Sequence, residues 1–540
     1  MEEVDGHGHV HQALSADGHP SFSVEKALFT EDAGLSSKDA ASGHNSSEKA
    51  DAPNSMTEPV LEPDTCRSSM ISATAATKRT RGTTEQAPQL HAPTREGIST
   101  TDDPTAAAKK QAIREACIQG DFARLQQLAD SNGGFLNDEL RQMAWPVLLG
   151  IPVEANGHID LATASAAAGI SATEAPHAWE SLPPHRDEEQ VQLDVDRAFV
   201  YYPQHASNAD ELRQKRALSE LIVQVLRRFP YLCYFQGFHD ICQVFLLVLP
   251  PPICTPAVTR LAVLRIRDFM LPTIDAAVQQ LLLLPDILRK ADPALWNHLR
   301  LAQHPRPFFA LSGTLTMYAH DVQSLGAITR LFDVMLARPP AFSLYLFAAI
   351  VRAHRDALFA TPADEPEMLH HILSKLPGQA GRTYGAGSDE NDDEKSQHSQ
   401  SLEGLITNAA QLMVEYPPHE LPAWRSIPSS SVLKTADDSG KAATHPLATG
   451  LTVADGERLY HKHVRELEIA ERRRQQMTQV RKLLWQYRGP LRAVGTAVIV
   501  GAVAIALRRL GVGTGAKHPS ILGLVSKLSS LLTRLGIHFD

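Results

Sequence analysis

The chain has 540 residues, 35 of them proline, and a formal net charge of −9. This acidic balance, without a basic stripe, argues against a nucleic-acid partner, because affinity for phosphate backbones needs clustered Lys and Arg. The five cysteines are an odd number and contain no Cys-x-x-Cys pair, so they suggest neither a disulfide framework nor a zinc site. We expect reduced thiols and no metal site.

The first 105 residues are rich in Ser, Ala, Thr, Pro and acidic residues. Large apolar side chains are too few there to offset the entropy lost when a backbone becomes ordered. We therefore predict that residues 1–105 are disordered. The start of the chain has no basic stretch followed by an apolar run, so we expect no signal peptide.

Helical periodicity begins at Lys109 and continues to Trp424, and strand-like alternation is nowhere sustained. The sequence therefore predicts an all-α domain over residues 106–425. Two small-residue or acidic low-complexity stretches, at about 152–185 and 378–401, are predicted to be surface loops inserted between helices.

The C-terminal part is predicted to hold a linker over 426–452 and a charged helical stalk over 453–488. The stalk has no broad apolar face, which indicates a solvated or lipid-facing helix. Residues 489–510 are predicted to be a transmembrane anchor, although their uncharged centre of about fifteen residues spans only roughly 22 Å. Flanking arginines can extend to the membrane interfaces, and the alternative is a buried core helix. Residues 518–540 are predicted to form an amphipathic tail on a membrane face.

The stretch "DEEQVQLDVDRAFVYYP" places Val191, Val195 and Phe199 on one helix face. Asp194 and Arg197 are three residues apart, which puts a carboxylate beside a guanidinium at the edge of that face. An exposed pair of this kind contributes less than about 1 kcal/mol and can be without function.

The stretch "YLCYFQGFHD" sets Gln236 between two apolar helical patterns. A buried amide is costly unless it is hydrogen-bonded. Gln236 should therefore either satisfy neighbouring backbone groups or face a ligand.

Three motifs follow one another along the chain: "RQMAWPVLLG", "VQLDVDR" and "YFQG". In this order they resemble the motifs of TBC-domain GTPase-activating proteins for Rab GTPases, with Val191 at a position usually held by isoleucine. The resemblance extends from about Lys109 to Trp424. Later stretches, such as "TRLFDVMLA" and "VEYPPHEL", are similar to one branch of the family, whose members end in a C-terminal membrane segment.

The resemblance implies a multi-helix TBC fold and a partner, a Rab GTPase in its GTP form. Hydrolysis of GTP needs stabilisation of phosphoryl charge and an oriented water. By resemblance, Arg197 is the arginine finger and Gln236 the group that orients the water. The supporting roles implied are orientation of Arg197 by Asp194, shaping of the glutamine loop by Tyr234 and Gly237, and support of the fold by Arg141 and Trp145. No cofactor of its own is expected, since Mg²⁺ and GTP arrive with the Rab.

Gly313 departs from the family pattern, which commonly has a tryptophan there, so packing near it is expected to be weakened. The branch resemblance implies a Rab of ER-to-Golgi traffic and an endoplasmic reticulum membrane location, with the catalytic domain facing the cytosol. A non-catalytic, membrane-tethered Rab-binding scaffold is the alternative. A cysteine hydrolase built from His239 and its neighbours Cys233 and Cys242 lacks a surrounding signature and is not favoured.

Overall fold

The computed structural model describes residues 104–171, 177–203, 207–380, 401–435 and 450–486, with 498–499 and 501–505. The chain divides into two units, Met1–Ala112 and Ile113–Asp540, and every contact discussed below lies within the second. Throughout the described residues the secondary structure is helical and contains no β-strand, which confirms the predicted all-α fold. The region predicted to be disordered lies almost wholly outside the described residues.

The helices follow one another along the chain and are joined by turns and short 3₁₀ helices. In chain order they are α1 Pro104–Gln119, α2 Phe122–Asp130, α3 Asp138–Leu148, α4 Leu161–Ala167, α5 Glu188–Asp196, α6 Asn208–Arg228, α7 Phe238–Val248, α8 Pro251–Leu264, α9 Asp275–Leu281, α10 Leu283–Ala291, α11 Pro293–His298, α12 Leu311–Leu315, α13 Leu325–Ala337, α14 Phe342–Ala353, α15 Arg355–Ala360, α16 Pro366–Ala380, α17 Leu402–Glu415, α18 Val432–Thr435 and α19 Val453–Gln486.

The core of the second unit is built around α8, α13 and α14. Residues 257–264 of α8 and 327–337 of α13 are all buried. A helix that is apolar on every side belongs in the interior of a large domain. Around this centre α17 packs against α14, and α2 and α3 pack against α13.

A fully buried carboxylate, Asp333 of α13, joins this core to α3. Arg141 Nε lies 3.0 Å from Asp333 Oδ1, and Trp145 Nε1 lies 2.8 Å from the same oxygen. The backbone N–H of Phe135 donates to Oδ2 over 3.0 Å. Burial raises the pKa of the Asp333 carboxyl, and the Arg141 guanidinium opposes that rise. Arg141 and Trp145, one helical turn apart, therefore share one partner that sequence spacing did not reveal.

The first predicted insert is helical in part, so the surface-loop prediction is wrong for residues 161–167. Asp160 caps α4, accepting a hydrogen bond from Thr163 N over 2.8 Å, and Ala164 is buried. A run of alanines has high helix propensity and allows close packing. Arg260 of α8 donates to Ala167 O over 2.5 Å and holds the C-terminal end of α4. Most of the second insert, 381–400, lies outside the described residues.

The charged helix α19 differs from the predicted stalk in its first half. Val453, Gly456, Tyr460 and His463 are buried against the helical domain, whereas residues 468–483 are exposed. The prediction of a solvated or lipid-facing helix is thus wrong for the N-terminal turns of α19. In these turns the helix buries a narrow stripe of residues that includes Gly456 and His463.

Most of the predicted transmembrane segment lies outside the described residues, and only 498–499 and 501–505 of it belong to them. In the part of the chain that the structure describes, no helix combines the length and the apolar character needed to cross a bilayer. The predicted amphipathic tail, 518–540, also lies outside the described residues.

Replacing Asp333 with alanine is expected to lower the free energy of unfolding by about 3–5 kcal/mol, because a buried guanidinium would lose its carboxylate partner. Asp138→Ala is the matched control, since Asp138 is an exposed partner of the same Arg141, 2.8 Å from its Nη1. That substitution should cost under about 1 kcal/mol. Urea denaturation followed by circular dichroism measures both. Equal losses would contradict a special role for the buried carboxylate.

Candidate functional site

Helix α5 carries the predicted arginine at its C-terminal end. Val191 and Val195 are fully buried and fix the inward face of the helix. Arg197 is the C-cap residue, and its backbone N–H donates to Asp194 O over 3.1 Å. The side chain of Arg197 is 64% exposed, while that of Asp194 is fully buried. The arginine therefore projects to the surface from an anchored helix end.

The Asp194 carboxylate receives hydrogen bonds on both of its oxygens. Oδ1 accepts from Arg197 Nη2 over 2.5 Å and from Gln190 Nε2 over 3.0 Å. Oδ2 accepts from the Tyr234 hydroxyl over 2.8 Å. Burial and the neighbouring Asp194 hold the pKa of Tyr234 well above its usual range, so this hydroxyl stays protonated and donates. One buried charge thus links the arginine motif to the glutamine motif.

The loop that precedes Gln236 also binds the N-terminal end of α5. The backbone N–H of Tyr234 donates to Asp187 Oδ2 over 2.9 Å. His185 Nε2 lies 3.0 Å from Leu232 O, which places the ring at hydrogen-bonding distance from the same loop. The loop is held at two points along α5, through Asp187 at one end and Asp194 at the other. The positions of Arg197 and Gln236 are therefore set by the same helix.

Gln236 is half-buried between two aromatic residues that point inward. Phe235 and Phe238 are buried, with ring centroids 5.7 Å apart. Gly237 follows with φ +105°, and a Cβ there would lie only 2.5 Å from Thr316 Cγ2. Only glycine combines this backbone conformation with such close contact. The loop thus holds Gln236 at a half-buried position between packed neighbours.

A histidine and a carboxylate lie behind the glutamine loop. His239 Nδ1 is 3.2 Å from the Tyr234 hydroxyl, and burial lowers the pKa of the histidine. Asp240 Oδ2 lies 3.0 Å from His320 Nδ1, and this contact raises the pKa of His320. Each of these groups has a partner within the protein, which accords with a structural role.

The thiols near the site are poor nucleophiles. Burial raises the pKa of Cys233 and raises that of Cys242 well above its usual range. A nucleophilic cysteine needs the opposite shift. Among the described residues, no group of three or more His, Cys, Asp or Glu side chains is arranged to hold a metal. The chemistry available here is that of an exposed guanidinium and an amide.

Gly313 lies in a filled environment. A Cβ at this position would be 3.3 Å from Pro377 Cγ and 3.4 Å from Tyr318 Cε1. The proline and the tyrosine therefore fill the space beside Gly313, where weakened packing was predicted. A large aromatic side chain could enter only if both moved.

The structure thus connects Arg197, Asp194, Tyr234 and Gly237 through one helix and one loop, with Gln236 on that loop. It places Arg141 and Trp145 elsewhere, in the core at Asp333. Three residues that bind the loop, His185, Asp187 and Thr316, were not singled out from the sequence. Asp187 and His185 could have been suspected from the sequence, because they lie immediately before α5. Nothing in the sequence around Thr316 indicates that it contacts the loop.

Comparisons with known proteins agree with the motifs. Residues 138–359 match the Rab-GTPase-TBC domain family. The chain is similar to GTPase-activating protein gyp10 of Schizosaccharomyces pombe, with 33% identity over 271 residues that cover 50% of this chain and 67% of the relative. It is 30% identical to TBC1 domain family member 20 of Homo sapiens over 302 residues, covering 56% of this chain and 65% of the relative.

A more distant relative is GTPase-activating protein GYP8 of Saccharomyces cerevisiae, with 25% identity over 43% of this chain and 46% of the relative. The crystal structure of the Ypt/Rab-GAP domain of Gyp1p is 15% identical, with a TM-score of 0.41, and the match covers 57% of this chain and 98% of that one. The chain therefore spans about two thirds of the length of gyp10 and of the mammalian relatives. It belongs to the family of TBC-domain Rab GTPase-activating proteins.

Proposed function

We propose that this chain accelerates GTP hydrolysis by a Rab GTPase and that it supplies two groups to the Rab active site, Arg197 and Gln236. The observation that carries the proposal is the buried Asp194 carboxylate, which binds Arg197 on one oxygen and Tyr234 of the glutamine loop on the other. A hydrogen-bonded path of this kind keeps two surface groups in fixed register before a partner arrives.

Arg197 acts on the charge that develops during phosphoryl transfer. The Asp194 contact uses Nη2 of the guanidinium, and the rest of the planar fork can be directed at phosphate oxygens. Charge-assisted hydrogen bonds from arginine to phosphate are short and strong. Because Asp194 is buried and holds the side chain near its helix end, less side-chain entropy is lost when the Rab binds. Because negative charge builds on the phosphoryl oxygens during hydrolysis, Arg197 stabilises the transition state more than the ground state.

Gln236 acts on the water. Its amide carries both an acceptor and donors, so it can accept a hydrogen bond from the attacking water and donate to a phosphate oxygen. Its chain neighbours, buried Phe235 and conformationally constrained Gly237, fix the backbone from which the side chain extends. The Rab supplies GTP and Mg²⁺, and neither Arg197 nor Gln236 needs a metal of its own.

The surface around Arg197 is suited to a protein partner. Leu193, Val200 and Tyr201 are exposed apolar residues within four positions of the arginine in the chain. Exposed apolar groups that lie together commonly mark protein contact sites. We propose that a Rab that brings its nucleotide to Arg197 contacts these residues.

A non-catalytic Rab-binding scaffold is the second candidate, because the same surface could bind a Rab without accelerating hydrolysis. Two features favour the activator. Arg197 is exposed and oriented by Asp194, and Gln236 lies on a loop whose shape depends on Gly237. A scaffold would need neither group.

We further propose that the substrate is a Rab of ER-to-Golgi traffic and that residues 489–510 anchor the chain in the endoplasmic reticulum membrane. The support is the branch resemblance together with the uncharged run and its flanking arginines. Rab proteins are cytosolic, so the helical domain must face the cytosol.

Arg197→Ala is expected to lower the Rab GTP hydrolysis rate by a factor of about 10³–10⁵, the usual contribution of an arginine finger. The rate is measured as single-turnover GTP hydrolysis by each of a panel of purified Rabs, with the full chain added in detergent. Arg289→Ala is the matched control, since Arg289 pairs with Asp286 at the same i,i+3 spacing and is also exposed. It should retain the wild-type rate. An Arg197→Ala rate equal to wild type across the panel would remove the catalytic proposal.

Deleting all residues after Arg488 is expected to move the protein from the membrane fraction to the soluble fraction, because the uncharged run would be lost. Fractionation of cells that express the full and the shortened chains measures the difference. Replacing Arg197 with alanine in the full chain is a control that should leave membrane association unchanged. A shortened chain that stays with membranes would contradict the anchor.

A further inference from the structure

Helix α19, which follows the TBC-matched region, packs beside the glutamine loop. Its buried positions recur at helical spacing, as Val453, Gly456, Tyr460 and His463. Beyond residue 467 the described part of the helix is exposed. The docked part is therefore about the first four turns, and the rest of the described helix is exposed to solvent.

The docking position of α19 is set by close contact with α8. A Cβ on Gly456 would lie 2.4 Å from Val263 Cγ1 and 3.0 Å from Val263 O, so the glycine lets the two helices approach closely. Just before the helix, Leu451 O accepts a hydrogen bond from Arg260 Nη2 over 3.2 Å. At the other end of the docked part, Glu466 accepts from the Ser429 hydroxyl over 2.9 Å. These contacts fix how far α19 can slide along its axis.

Tyr460 lies at the centre of this contact and reaches the glutamine loop. Its side chain is buried, and its hydroxyl donates to Tyr231 O over 2.6 Å. The same hydroxyl lies 3.8 Å from Cys233 Sγ, and the rings of Tyr460 and Tyr231 are 4.9 Å apart. Burial raises the pKa of Tyr460, so the hydroxyl remains protonated and available as a donor.

The segment that leads into α5 also contacts the loop. Arg186 Nη2 lies 2.9 Å from Cys233 Sγ and 3.3 Å from Leu232 O. Residues 231–233 are therefore held between Arg186 and Tyr460, and Tyr234 follows directly. Asp194 fixes the Tyr234 hydroxyl, whereas Tyr460 fixes the backbone just before it.

We propose that Tyr460 is a positioning residue for Gln236: it acts through the backbone of residues 231–233 and sets where the loop presents the amide. The inference rests on the proposed function of Gln236. It makes the first turns of α19 part of the catalytic unit, although they lie about a hundred residues beyond the matched family region. The helix that leads toward the predicted membrane segment is thus the same helix that braces the glutamine loop.

A double-mutant cycle tests this role in the full chain. Tyr460→Phe keeps the ring and removes the hydrogen bond to Tyr231 O. It is expected to lower kcat for a responsive Rab by roughly two- to tenfold, the size of one lost hydrogen bond, and to leave KM unchanged. In a Gln236→Ala background the same substitution should have no further effect on kcat, since the group that Tyr460 positions is gone.

Tyr345→Phe is the matched control. Its hydroxyl also donates to a backbone oxygen, Tyr416 O, over 2.5 Å, and its side chain is buried. Its effect on kcat should be the same with and without Gln236. A Tyr460→Phe loss that is equally large in both backgrounds, or no loss of kcat, would overturn the positioning role.

A second readout does not depend on hydrolysis. In Tyr460→Leu the rate of Cys233 alkylation, followed peptide by peptide, is expected to rise, while fully buried Cys242 stays protected. Unchanged protection of Cys233 would count against the proposal that Tyr460 holds residues 231–233.

If the wild-type chain accelerates no Rab, the proposed function and this inference both fail. If acceleration depends on Arg197 but the cycle is additive, only the role of Tyr460 is lost.

Discussion

The buried carboxylate of Asp194 is the constraint on which the site depends. A charge removed from water must be satisfied by donors, and here they come from Arg197, Gln190 and Tyr234. Two of these donors belong to motifs about forty residues apart in the chain, so satisfying one carboxylate brings the motifs together. The side chain of Arg197 remains exposed, so it is accessible to another molecule.

A second buried carboxylate, Asp333, also needs hydrogen-bond donors, but its arginine partner is buried. It binds Arg141, which is itself nearly buried, so that arginine stays inside and joins α3 to the core. Arg197 and Arg141 thus have the same kind of partner and differ in exposure. Burial of the arginine separates the contact that joins α3 to the core from the contact whose arginine we propose as catalytic.

Sequence patterns predicted the all-α fold because helical periodicity is local, and they predicted the Asp194 and Arg197 pair because residues three apart are neighbours on a helix surface. They did not predict that Arg141 and Trp145 share Asp333, since that contact joins residues nearly two hundred positions apart. The docking of α19 was missed for a different reason. Its buried stripe includes Gly456, Tyr460 and His463, which do not form the apolar face that periodicity analysis detects.

We propose that this chain brings its own amide to the water as well as its own guanidinium to the phosphate. The most direct test is the GTP hydrolysis rate of a responsive Rab whose own switch glutamine is replaced by alanine. We predict that the wild-type chain still accelerates this Rab and that Gln236→Ala does not. A wild-type chain that accelerates the unaltered Rab but fails with the altered one would contradict it.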